Sequence, residues 1–197
     1  MRPPTGVVEK VVRKGVEQKS QAAIVYTGPF QYDQVHRIAI RALGSVLDTR
    51  LRETLREDLS GTSGVSASPN YTKVPEERYT FQIAFGCDPK RTDDLVKVVF
   101  TVIGALRADG PTEKEVHDAR EAFLRDYETN TKQNSYVLSQ IYLRYQTGED
   151  VNEFFRLPEY YGKLDGATIK EAARTYLNPG NYVRVVLLPE TPPAATK

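Results

Sequence analysis

The sequence predicts an α+β domain in which an antiparallel sheet carries helices on one face. Two strand-like segments precede a long helix, two further strands follow, and a run of helices leads to a last strand, without regular β-α-β alternation. The 197 residues are 40% hydrophobic and 27% charged, which suits one domain with a full core. With no internal repeat or linker, we expect a single domain over residues 1–190 and a disordered tail over 191–197.

The first two strands are predicted from β-branched runs at 7–14 and 22–27. The polar segment between them contains a glycine and is read as a loop, so we expect the two strands to form a pair. Gly28 and Pro29 end the second strand.

A long helix is predicted over 32–59. Its first half has apolar residues at the spacing of one buried face. The leucines that follow recur every four residues, and each step turns the face by about 40°. We therefore expect either a kink near 44–48 or two helical pieces on different surfaces, with Arg52 and Arg56 turned away from the leucines.

Two interpretations of these arginines remain open at this point. An arginine turned away from the leucines can reach across a cleft. Alternatively, Arg50, Arg52 and Arg56 pair with neighbouring carboxylates on a solvated face, as charge-rich helix faces commonly do. The carboxylates in question are Glu53, Glu57 and Asp58.

The remaining elements follow from periodicity and capping signals. A weak strand at 62–69 and a strong one at 79–85 form a hairpin, and helices follow at about 95–106, 136–145 and 151–161. Thr112 with Glu115 forms a capping box that begins another helix, and Thr168 with Glu171 forms a second one. A final strand is expected at 182–188.

Composition narrows the possible partners. With 27 basic and 26 acidic residues the net charge is +1, which argues against nucleic acid as a partner. No window is apolar enough for a membrane span, and the first residues lack the apolar core of a signal peptide. Cys87 is the single cysteine, so no intrachain disulfide is expected and a half-buried apolar role is favoured.

No catalytic motif is visible. Neither H-E-x-x-H nor H-x-x-E-H occurs, and the two histidines, His36 and His117, are far apart in the sequence. His117 and Glu121 share one helix face, but a solvated pair is the more ordinary interpretation than a metal site. Phosphate-loop, dinucleotide and serine-nucleophile motifs are also missing. We expect the chain alone to lack peptidase activity.

The segment at 43–68 contains the pattern L-R-x-x-L-R-E-x-L-S-G-T-x-G-V-S. This pattern resembles the second, non-zinc-binding half of the pitrilysin/insulinase-type zinc proteases, the M16 peptidases, and in particular their PqqL-like bacterial type. The likeness extends to the opening strands, the middle helices and the closing helix and strand. It implies the LuxS/mitochondrial-processing-peptidase-like metallohydrolase fold and a parent protein in the bacterial periplasm.

The resemblance also implies two site residues. In such proteins an arginine and a tyrosine, seven residues apart, face the zinc across a chamber and hold the peptide. The arginine falls on Arg56, whose fork of donors suits a carbonyl or carboxylate. The tyrosine position falls on Ser63, whose shorter hydroxyl reaches a substrate only through water. Three possibilities remain: the tyrosine's role is lost, another residue such as Tyr71 replaces it, or the domain serves closure and substrate binding.

The implied function is that of a catalytically silent domain. It would form part of a peptide-binding chamber, hold no metal itself and depend on zinc in the N-terminal half, which is either part of the same polypeptide or a partner subunit. The rival hypothesis is a non-catalytic scaffold or interaction subunit with no role in proteolysis. Pairing of a peptide with an exposed sheet edge is a further possibility.

Overall fold

The computed structural model describes residues 3–56 and 64–190. The described strands are β1 Val7–Arg13, β2 Ser20–Pro29, β3 Ser66–Thr72, β4 Arg78–Cys87 and β5 Tyr182–Leu188. The described helices are α1 Gln34–Thr54, α2 Thr92–Asp109, α3 Glu113–Asn130, α4 Asn134–Thr147, α5 Asn152–Phe155, α6 Leu157–Lys163 and α7 Gly166–Tyr176. The predicted tail at 191–197 lies outside the described residues.

The five strands form one sheet in the order β1-β5-β2-β4-β3. β2 pairs antiparallel with β4 and with β5. β3 pairs antiparallel with β4, and these two strands form the predicted hairpin. The predicted pairing of β1 with β2 is wrong, because β5 lies between them and runs parallel to β1. Most β1 side chains are exposed and those of β5 are half-buried, so β1 suits the edge and β5 the interior.

The two faces of the sheet differ in what covers them. On one face, alternate residues of β2 and β4 such as Ile24, Phe81 and Ile83 are fully buried beneath the helices. The opposite face presents residues such as Ala23 and Gln82, which are partly or fully exposed. An α+β domain with helices on one face of the sheet is therefore confirmed.

Helix α1 is one uninterrupted helix at the centre of the helical layer. Asp33 caps its first turn by accepting a 2.8 Å hydrogen bond from the backbone N–H of His36. Leu47, Leu51 and Leu55 are all fully buried although they lie on successively rotated faces. This is possible because α1 contacts β3, α7, α2 and α3 along its length. The leucines thus meet different surfaces, as predicted, but within a single helix.

Gly44 lets α1 approach the sheet closely. A Cβ atom at this position would lie 2.7 Å from Cδ of Pro69 on β3. Such a contact is shorter than van der Waals packing allows, so only glycine fits without a shift of helix or strand. The position of α1 against β3 is therefore fixed near the middle of the helix.

The helix starts are partly as predicted. The capping box of Thr112 and Glu115 is confirmed at the start of α3. The second predicted box is wrong: Asp165 caps α7 instead, accepting a 2.8 Å hydrogen bond from the backbone N–H of Thr168. Asp165 comes three residues earlier and offers a carboxylate, which is a strong N-cap. The helix predicted at 151–161 is two short helices, α5 and α6, which meet at Arg156.

Candidate functional site

Arg56 lies directly beyond the C-terminal end of α1. Leu55 ends the helix and is fully buried, whereas Arg56 is exposed. Within residues 3–56 and 64–190, the Arg56 side chain has no hydrogen-bond or ion-pair partner. Among the described residues, nothing therefore prevents its guanidinium from contacting a ligand. The buried side chain of Leu55 anchors the backbone directly before Arg56.

The two arginines before it are engaged elsewhere. Arg50 makes a bidentate pair with Glu115 of α3, with donor-acceptor distances of 2.5 and 2.7 Å, and also donates to the carbonyl of Gly110. Arg52 donates to Asp48 at 2.6 Å, one helical turn earlier. Arg50 and Arg52 therefore pair with Glu115 and Asp48 and not with the predicted Glu53. Glu57 and Asp58 lie outside the described residues, so the pairing predicted for them stays a prediction.

Burial alone would raise the pKa of the Glu115 carboxyl. Hydrogen bonds from Arg50 and from the N–H and hydroxyl of Thr112 outweigh burial and hold that pKa below its usual value. The same carboxylate thus caps α3 and ties it to α1. This contact holds the C-terminal end of α1 in place near Arg56.

Ser63 lies in the segment 57–63, outside the described residues, so its predicted role stays a prediction. The chain is described again from Gly64, which borders the uncovered face of the sheet. Val65 is buried, and the backbone N–H of Ala67 donates to Asp48 of α1 at 3.0 Å. The described residues on either side of this segment are therefore Arg56 beyond the end of α1 and Gly64 at the rim of that face.

The uncovered face itself forms a broad, shallow depression, which we call the bare face. It has a volume of about 360 Å³ and combines small, apolar and amide side chains. Its lining includes Gln21, Ala23, Gln82, Ala84, Val185 and Leu187. An open surface of this kind can accept an extended chain lying across the strands.

Tyr71, considered as a substitute for the tyrosine missing at position 63, faces the helical layer. Its ring stacks on Phe30 with centroids 5.2 Å apart, and burial raises the pKa of its hydroxyl. It lies toward the end of β3 remote from Gly64. The structure therefore places it with the helices rather than on the bare face.

The remaining sequence candidates are accounted for by local contacts. His36 Nδ1 lies 2.7 Å from Asp33 Oδ1, at the cap of α1, and His117 is exposed on α3. Cys87 is more buried than predicted and contacts the hydroxyls of Ser20 and Thr92. In the part of the chain that the structure describes, no group of three or more metal-ligating side chains converges and no helix is long and apolar enough to cross a membrane.

A second cluster of arginines was not identified from the sequence. We call it the arginine cleft and define it by Arg37 and Arg41 of α1 and Arg144 of α4, which line a common cleft. Arg37 forms two 2.7 Å hydrogen bonds to Glu149, and Arg41 stacks over the Phe123 ring at 4.7 Å. The available signal was the pair of arginines four residues apart on the otherwise apolar start of α1.

Comparison with known proteins places these features in a family. The family model described as "Peptidase M16 inactive domain" matches residues 2–123. The chain therefore belongs to the M16 peptidase inactive domains, as the motif around Arg56 and the fold indicated.

Particular relatives agree with this assignment. A curated protein of Arabidopsis thaliana, "Zinc protease PQQL-like", is 24% identical over 155 residues, which are 73% of this chain and 16% of that protein. The crystal structure of the periplasmic protease PqqL from Escherichia coli is similar with a TM-score of 0.82 and 21% identity, over 94% of this chain and 21% of that one. An M16 inactive domain from Pseudomonas fluorescens gives 0.79 and 17%, over 100% of this chain and 47% of that one.

The chain thus spans about a fifth or less of the two proteases it resembles. It is an M16 peptidase inactive domain, and it is similar to part of a protein described as a PQQL-like zinc protease and to part of the periplasmic protease PqqL.

Proposed function

We propose that this chain forms a non-catalytic wall of the peptide chamber of an M16 zinc protease and that Arg56 holds the substrate there. Proteolysis requires the zinc-bearing half, carried by the same polypeptide or by a partner subunit. Zinc supplies the activated water in that half. We propose a bacterial periplasmic location for the parent protein, and the similarity to an E. coli protein described as a periplasmic protease supports this.

The observation that carries this proposal is the bare face together with Arg56 and Gly64, the described residues on either side of segment 57–63. Arg56 leaves α1 exposed and without a described partner, and Gly64 meets the rim of the bare face. Ser63 directly precedes Gly64 in the sequence. A peptide lying across the bare face would pass close to Gly64.

The chemistry of Arg56 suits that role. A guanidinium offers a planar fork of donors that can bind a peptide carbonyl or carboxylate in two-point fashion. Being exposed, the guanidinium loses little solvation until a substrate covers it. Ser63 would contribute through a bridging water, because its hydroxyl is short.

The test is reconstitution with a zinc-bearing M16 half, one that carries H-x-x-E-H, from the same gene or operon. Cleavage of a quenched unfolded-peptide library is measured for each half and for the mixture. We expect activity only in the mixture, and we expect Arg56→Ala to lower kcat/KM by about tenfold or more, the loss of one charge-assisted hydrogen bond. The melting temperature should be unchanged, since Arg56 is exposed.

Arg52→Ala is the matched control, because Arg52 is a neighbouring exposed arginine already paired with Asp48. Equal activity of the two variants would end the proposal for Arg56. Ser63→Tyr, which restores the family residue, should raise kcat if position 63 faces the reacting carbonyl. No change with Ser63→Tyr would remove Ser63 from the site.

A scaffold or interaction subunit is the second candidate, and helix α4 favours it. Leu138, Tyr142 and Tyr145 lie on one face of α4 and are 67%, 62% and 75% exposed. Large exposed apolar and aromatic side chains on one helix face are typical of protein contact surfaces. A stable complex with the zinc-bearing half that shows no peptidase activity, and that Tyr142→Ser weakens, would favour this function over the first.

A further inference from the structure

The positive charge of the arginine cleft is only partly balanced. Among residues 3–56 and 64–190, Glu149 is the one carboxylate that hydrogen-bonds to its guanidinium groups, and both bonds come from Arg37. Arg144 donates to the side chain and carbonyl of Gln140, which are neutral. Arg41 lies over an aromatic ring. Two of the three guanidinium groups therefore lack a hydrogen-bonded carboxylate in the described chain.

Two of these charges are buried close together. Arg37 and Arg144 are only 7% and 3% exposed, and both donate to the same side-chain oxygen of Gln34, at 3.0 and 3.3 Å. Burial, and next the charge of Arg37, lower the pKa of the Arg144 guanidinium. Bringing two cations to one neutral oxygen costs free energy that Gln34 cannot offset.

Arg144 also retains an unused donor. Its Nε is buried and has no hydrogen-bond partner among the described groups. A buried donor of this kind destabilises the folded chain when it stays unpaired, because its lost solvation is not replaced. Excess positive charge beside an accessible space is what an anion-binding site presents before its ligand arrives.

The space is suited to a compact ligand. The cleft has a volume of about 250 Å³ and is walled by the rings of Tyr71, Tyr136 and Tyr161. This lies just below the range of pockets that hold drug-sized molecules. Tyrosine walls exclude water from the sides of a ligand, and guanidinium forks match the oxygen spacing of carboxylate and phosphate groups.

We propose that the arginine cleft binds a small oxyanion, a carboxylate or a phosphate, held by Arg41 and Arg144 with Arg37 as a fixed neighbour. The site lies on the helical side of the sheet, between α1, α4 and α6, opposite the bare face. It is therefore separate from the proposed substrate surface and does not depend on it. The anion would neutralise positive charge of the arginine cleft that Glu149 does not balance.

The test uses the full chain with inorganic phosphate and with glutarate as probes. Thermal unfolding and titration calorimetry are measured against sodium chloride at the same ionic strength. We expect a saturable rise in melting temperature and a single binding event with at least one probe. Arg41→Gln should weaken this binding about tenfold, the loss of one charge-assisted contact. A response to phosphate alone or to glutarate alone identifies the anion class.

Arg156→Gln is the matched control, because Arg156 is an exposed arginine at the start of α6 that pairs with Glu153 and Glu159. It should bind like the unaltered chain. Arg41→Lys keeps the charge but not the fork and should bind with intermediate affinity; it replaces Arg41→Gln if that variant does not fold. Equal responses in all variants, or a response that never saturates and matches chloride, would overturn the site.

Discussion

The two ends of helix α1 carry arginines in opposite surroundings. At its start, Arg37 is enclosed by Glu149, Gln34 and the ring of Tyr32, which lies 4.6 Å below its guanidinium. Beyond its end, Arg56 is exposed and without a described partner. The same residue type is thus held rigidly at one end and left available at the other. The role of each of these arginines therefore depends on the residues that surround it.

The largest effect is expected from Glu149→Gln at the enclosed end. The change leaves Arg37 without its hydrogen-bonded carboxylate and removes the one negative charge that is hydrogen-bonded within the described arginine cleft. Breaking a buried ion pair typically costs about 3 kcal/mol of unfolding free energy or more. Urea unfolding monitored by circular dichroism would measure it. Glu17→Gln, in an exposed pair with Lys19, is the control and should have almost no effect. A loss no greater than the control's would mean that the enclosed pair is dispensable.

An intermediate effect is expected from Gly44→Ala, in the middle of α1 between these two ends. The new methyl group would clash with Pro69, and such overpacking lowers the free energy of unfolding by about 1–3 kcal/mol. The higher helix propensity of alanine offsets up to about 1 kcal/mol of this loss. Gly104→Ala is the matched control in α2, where nothing lies within 4 Å of the added Cβ. Thermal unfolding should show a lower melting temperature for the first variant and an unchanged or higher one for the second. Similar shifts in both would show that the close approach to Pro69 is unimportant.

The smallest effect is expected at the exposed end, from Arg50→Gln. Because Arg50 helps to hold the pKa of Glu115 below its ordinary value of 4.5, the pair contributes stability above that value and loses it as the pH falls through the lowered pKa. Near neutral pH the variant should be less stable by about 1 kcal/mol, as expected for a partly exposed pair.

The pH dependence of urea unfolding separates this explanation from simple loss of packing. The difference between Arg50→Gln and the unaltered chain should shrink as the pH is lowered below about 4.5. A difference that stays constant from pH 7 to pH 3 would contradict the role assigned to the Glu115 carboxylate.

Much of the fold was predictable because its signals are local. The alternation of Phe81, Ile83 and Phe85 marks a half-buried strand, and Thr112 with Glu115 marks a helix start; both are confirmed. The family could also be predicted from the motif that contains Arg56. These features depend on residues close together in the sequence.

The features missed depend on contacts between distant segments. No local sequence pattern predicts that β5 lies between β1 and β2. The position depends on which strand can have neighbours on both edges, and β5 is half-buried whereas β1 is mostly exposed. The arginine cleft joins Arg37 to Glu149 across 112 positions, so its charge balance is invisible in either segment alone. The prediction of Thr168 as the cap of α7 is wrong for a local reason, because the carboxylate of Asp165, three residues earlier, caps the helix.

The place of β5 has a consequence for how the domain is made. β2 is flanked by β4 on one side and β5 on the other, and residues as far apart as Gly6 and Asn181 are joined, a separation of 175 positions. While the ribosome is still translating, α1 and the β3-β4 hairpin can form, but one edge of β2 has no neighbour until the last strand emerges. Pairings of such long range are slow to form. The nascent domain must therefore carry an unprotected strand edge until β5 emerges, an interval in which a chaperone or a neighbouring domain could shield it.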